Sequence, residues 1–82
     1  MKSSNILLSL DGVHLEVSKN SYGAVCVEYK NSEVKDGMFL VSEYGTGIDF
    51  ESACDDYLAK IRGKTLVFNA CSSSRREVSI LG

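Results

Sequence analysis

The stretch GTGIDFESACDDYLAKIRG, residues 45–63, holds one complete helix with both of its ends marked. Phe50, Ala53, Cys54, Tyr57, Leu58 and Ile61 recur at three- and four-residue spacing, which gathers them on one apolar stripe. Asp49 stands just before the stripe, where a short oxygen-bearing side chain accepts an orphan backbone N–H. Gly63 follows Lys60 and Arg62, where a helix favours a left-handed residue and positive charge. Gly45 and Gly47 read as flexible connectors from strand to helix. The Gly45-Thr46-Gly47 turn lacks the third glycine of a dinucleotide loop and the Gly-Lys-Thr ending of a P-loop. Asp49 also places negative charge where a phosphate would sit.

Outward from the helix, the chain reads as strand. Ile6 to Leu10 is a short apolar run closed by the hairpin signal Asp11-Gly12. Val13, Leu15 and Val17 alternate with His14, Glu16 and Ser18, giving a strand with one wet face. Ala24 to Lys30 forms a third strand, and Asn31 to Gly37 reads as a polar loop. Met38 to Val41 is continuously apolar, and Ser42-Glu43-Tyr44 extends it. Beyond the helix, Lys64 to Ala70 and Arg75 to Leu81 complete the order β-β-β-β-α-β-β. The pattern predicts an α+β fold: an antiparallel β-sheet of five to six strands packed against one α-helix.

Eighty-two residues make a single domain, 1–82, with a thin stability margin. The 44% apolar content argues against disorder. A net charge of −2, from 9 basic and 11 acidic residues, gives no general pull towards nucleic acid. Three cysteines without a Cys-x-x-Cys pair fit reduced thiols in the cytoplasm. The N-terminal apolar run is too short for a signal-peptide core or a membrane span. A lone histidine, His14, with no spaced cysteine pair leaves no metal site, and nothing in the chain implies a cofactor. Cys26 and Cys54 read as small core residues, and Cys71 lacks an assisting base, so no catalytic residue is assigned.

The surface carries the functional expectation. Met38–Val41 and Leu66–Phe68 are apolar on both faces, and a strand of that kind is usually buried on both. One helix covers only one face, so either these strands form the centre of a curled sheet or a second molecule covers the other face; of the two we expect a protein partner or a second copy in a homodimer. The candidate contact residues are Phe39 and Val41, the aromatics Tyr22 and Tyr44, the acidic strip Glu51 and Asp55, and the cationic tip Arg75-Arg76.

Gly47-Ile48-Asp49-Phe50-Glu51-Ser52-Ala53, leading from strand into helix, resembles the glycine–cap–Glu–x–Ala helix entry of HicB-like antitoxin domains over residues 38–62. The resemblance implies a small sheet-plus-helix scaffold that pairs with itself or a partner. The family's Pro-Asp-Leu-Pro-Gly strand ending has no counterpart in a chain without proline. In size, mild acidity and overall character the chain is also similar to small phage-encoded anti-defence proteins of the anti-CRISPR type. That likeness implies a non-enzymatic inhibitor of a bacterial defence protein, acting in the host cytoplasm. The alternative is an antitoxin-like or nucleic-acid-binding regulator, and a small enzyme stands third.

Overall fold

The computed structural model describes residues 2–80, which form two helices and seven strands in an α+β arrangement. The order is α1 (Ser3–Leu8), β1 (Leu15–Lys19), β2 (Val25–Tyr29), β3 (Ser32–Asp36), β4 (Phe39–Val41), β5 (Gly45–Gly47), α2 (Phe50–Ile61), β6 (Thr65–Phe68) and β7 (Arg76–Ser79). Two antiparallel sheets divide the strands. One runs β1-β2-β5 and the other β4-β3-β6-β7. Leu81, the expected end of the last strand, lies outside the described residues.

Helix α2 forms where its local signals place it. The Asp49 carboxylate accepts from the Ser52 N–H at 2.8 Å and from the Ser52 hydroxyl at 2.6 Å. These bonds hold the Asp49 carboxyl below the usual carboxylate range. Gly63 adopts φ +78°, the left-handed conformation that ends a helix. Ala53, Cys54, Tyr57, Leu58 and Ile61 are buried along the stripe.

Three segments depart from the sequence expectation. The Ile6–Leu10 run is not a strand: residues 3–8 form α1. A carboxylate on α2 explains its placement, since the Ser4 N–H and hydroxyl donate to Glu51 at 3.0 and 2.5 Å. Leu7 then enters the core, and its carbonyl accepts the Tyr29 hydroxyl at 2.6 Å. The expected polar loop over residues 31–37 contains β3, whose only buried residue is Val34. Strands β4 and β6 on either side hold it extended. Gly45 and Gly47 are not mere connectors but form β5, paired to β2. A Cβ at Gly45 would stand 2.3 Å from the Ala53 carbonyl oxygen, and one at Gly47 would stand 2.5 Å from the Ser52 Cβ. Glycine here lets α2 lie directly on the strand.

Tyr29 joins the layers. Its N–H donates to the Tyr57 hydroxyl oxygen at 3.1 Å, and its ring meets those of Tyr57 and Phe68 at 5.7 Å. Burial raises its hydroxyl pKa well above the ordinary tyrosine value, with the neighbouring Tyr57 and Cys54 adding to the effect.

The two doubly apolar segments part company. Leu66, Val67 and Phe68 on β6 are all buried within one chain, so no second molecule is needed there. Leu66 and Phe68 join the core. Val67 faces the other way and is still 0% exposed. Its cross-strand neighbours are Glu33 and Glu77, and Lys35 on β3 pairs with Glu77 on β7 at 3.6 Å. The pair spans the intervening strand on the face where Val67 lies.

Candidate functional site

The sheets present their edges very differently. Strand β7 carries Arg76 and Glu77, and β1 carries Glu16 and Lys19, charges that discourage unplanned pairing. Strand β5 lies under α2. Strand β4 is Phe39-Leu40-Val41, without a charge, and among the described residues its outer side has no neighbouring strand. Met38 in the preceding turn is 97% exposed and Phe39 is 75% exposed, with Val41 exposed beside them.

The pairing explains this exposure. Val41 stands opposite Val34 and Phe39 opposite Asp36, so both share the face on which Val34 enters the core. Helix α2 packs chiefly on β5 and β2, which leaves that face of β4 uncovered. Phe39 and Val41 therefore lie together on one apolar edge.

The other expected contact residues are dispersed. Tyr22, 95% exposed, sits in the turn between β1 and β2. Tyr44 is held by Lys60, whose ammonium lies 5.4 Å from the ring centroid and donates to the Tyr44 carbonyl at 3.0 Å. Lys60 also pairs with Asp56 at 3.0 Å, and Asp56 accepts the Thr46 N–H at 2.9 Å. The Thr46 bond first, then Lys60, holds the Asp56 carboxyl low. The acidic strip is divided: Asp55 is exposed, whereas Glu51 is bonded to Ser4, which lowers its pKa.

Arg75 pairs with Glu77 at 3.1 Å, and Arg76 donates to the Asp11 carbonyl at 2.9 Å. Both arginines belong to the β7 side of the four-stranded sheet, whose far edge is β4. Three strand spacings separate those edges, about 14 Å. The cationic tip and the apolar β4 edge therefore lie on opposite sides of that sheet.

Ile48 went unassigned in the sequence and is 91% exposed. It precedes the Asp49 cap, the position of a hydrophobic staple, yet it stays in solvent while Ala53, four residues into the helix, is buried. The Gly47 pairing with Val25 puts Ile48 at the same end of its sheet as the Tyr22 turn. Cys54 is buried in the core, and burial, then Glu51 and Asp55, pushes its thiol up to about 11. That suits packing and opposes nucleophilic use.

Comparison with protein-family models, curated proteins and solved structures gives no match. Among the described residues, no helix is long and apolar enough to cross a membrane.

Proposed function

We propose that the chain is a non-enzymatic protein-binding module whose binding element is the β4 edge. The carrying observation is an uncharged edge strand that exposes Met38, Phe39 and Val41 while its outer backbone has no strand neighbour. Such an edge accepts an extended segment by strand addition, with backbone bonds supplying affinity and apolar side chains supplying specificity. The occupant we assign is a different protein. Three residues of strand cannot supply the roughly 800 Å² per side of a standard interface. The partner must reach beyond β4 to neighbouring surface. The specific form of this reading is an inhibitor of the anti-CRISPR type, phage-encoded and acting on a bacterial defence protein in the host cytoplasm. Its support is the small domain with a dedicated apolar edge, together with the likeness in overall character.

The test compares the chain with its Met38→Asp/Phe39→Asp variant, whose altered side chains are largely in solvent. A bacterial defence protein retained by the parent and lost by the folded variant supports the reading. Retention by both overturns the β4 assignment. Ultracentrifugation of the purified parent that shows a dimer broken by the same variant makes the occupant a second copy.

A further inference from the structure

A cleft of about 320 Å³ opens between the start of β1, the β2–β3 turn and the β6–β7 connection. His14, Lys30 and Arg76 line it with the polar side chains of Asn31, Asn69 and Ser74, and no aspartate or glutamate does so. That segregation arises in a chain whose acidic residues outnumber its basic ones by 11 to 9.

The basic side chains are held in place by neighbouring backbone. The ion pairs among the described residues involve Lys35, Lys60 and Arg75, and none uses Lys30 or His14. Lys30 and His14 are neighbours across the strand pair, since the Lys30 N–H donates to the His14 carbonyl at 2.8 Å. Arg76 is anchored by one nitrogen, Nη1, on the Asp11 carbonyl, which leaves its other donors free for a ligand. Asn31 and Asn69 both adopt left-handed backbone, at φ +59° and +54°, and the Asn69 N–H donates to the Asn31 carbonyl at 3.0 Å. The two turns are thus pinned together at the backbone.

We propose that this cleft binds a phosphate group, either free or as the phosphate of a mononucleotide. Donors arrive from three separate segments, which suits a tetrahedral oxyanion better than a planar carboxylate. Guanidinium and ammonium groups supply charge-assisted bonds, and Asn31 and Asn69 supply neutral ones. The volume stands at the small end of ligand pockets, roughly 300–1,000 Å³. The cleft lies on the β7 side of its sheet, away from the β4 edge, so the two assignments stand or fall separately.

The test is a two-dimensional amide NMR titration at constant ionic strength, with sodium phosphate and then adenosine monophosphate. Saturable shifts confined to residues 12–14, 30–31, 68–69 and 74–76 are expected. The His14→Gln/Lys30→Gln variant removes no side-chain bond of the fold, and its affinity should fall about tenfold or more while its other signals stay in place. Mononucleotide binding about tenfold tighter than phosphate makes the ligand a nucleotide, and equal affinity makes it free phosphate. Overturning results are shifts that do not saturate, equal affinity in the variant, or acetate producing the same shifts at the same concentration. Shifts seen only with a single-stranded oligonucleotide and spread beyond the cleft would also overturn it, replacing a small ligand with a nucleic-acid strand.

Discussion

Strands β4 and β6 are built from the same kind of residue, Phe39-Leu40-Val41 against Leu66-Val67-Phe68, yet one lies largely in solvent and the other is buried on both faces. Their place in the sheet separates them. Strand β6 is flanked by β3 and β7, whose Lys35 and Glu77 meet above Val67. Strand β4 has β3 on one side only, and α2 is committed elsewhere. A strand with neighbours on both sides can carry long charged side chains across its second apolar face, which an edge strand lacks. Covering a side chain such as Phe39 stabilises by about 1.5–3 kcal/mol, a gain the β4 edge does not make within the described residues.

The widest separation should come from charge. Val67→Asp places a carboxylate in a fully covered site and should unfold the domain, whereas Phe39→Asp should leave the circular dichroism melt near that of the parent. Equal loss of structure would mean that β4 is buried in solution. Truncation should give the same ranking on a smaller scale. Leu66→Ala should lower stability by about 2–5 kcal/mol in urea titrations, and Phe39→Ala by less than about 0.5 kcal/mol.

Gly45→Ala examines why the helix leaves β4 uncovered. With the Ala53 carbonyl 2.3 Å from the new Cβ, α2 must lift from β5. A cost of about 1–3 kcal/mol is expected, the usual range for overpacking. A neutral result would show that α2 sits more loosely and could shift towards β4.

Smaller again is the pairing of Lys35 with Glu77 on the Val67 face. The Arg75 hydrogen bond first, and then Lys35, holds the Glu77 carboxyl below its ordinary range. A depressed folded pKa contributes stability above the unfolded value, and this is lost as pH falls through the folded value. Glu77→Gln should therefore lower the melting temperature slightly at neutral pH, with the difference shrinking in acid. Glu51 and Asp49 titrate in the same sense and set the background, so the comparison must be made against the parent at each pH. A difference that grows on acidification would show that the Glu77 contribution is not ionic.

Helix α2 was legible residue by residue because its signals are local. The cap, the stripe and the terminal glycine each act within one or two turns of chain. Strands β1, β2 and β6 were legible from alternation or a continuous apolar run. The contact residues were legible as types but not as a constellation, since exposure in sequence says nothing of which sheet edge a residue occupies. Ile48 had a signal, an apolar residue just before a cap, but its exposure is visible only in the folded chain.

By itself, the amino-acid order determined an α+β domain with one well-capped helix and apolar strands around it. Only tertiary structure decided the rest. Ser4 bonds to Glu51 and the Leu7 carbonyl takes the Tyr29 hydroxyl, so the start of the Ile6–Leu10 run coils into α1 rather than extending as a strand. The polar residues of β3 extend because two neighbours pair with them, and Gly45-Thr46-Gly47 becomes β5 because α2 needs a surface without side chains. The reason is one of range. A helix satisfies its backbone from within its own segment, whereas a strand or an ambiguous apolar run takes its form from partners far away in the chain.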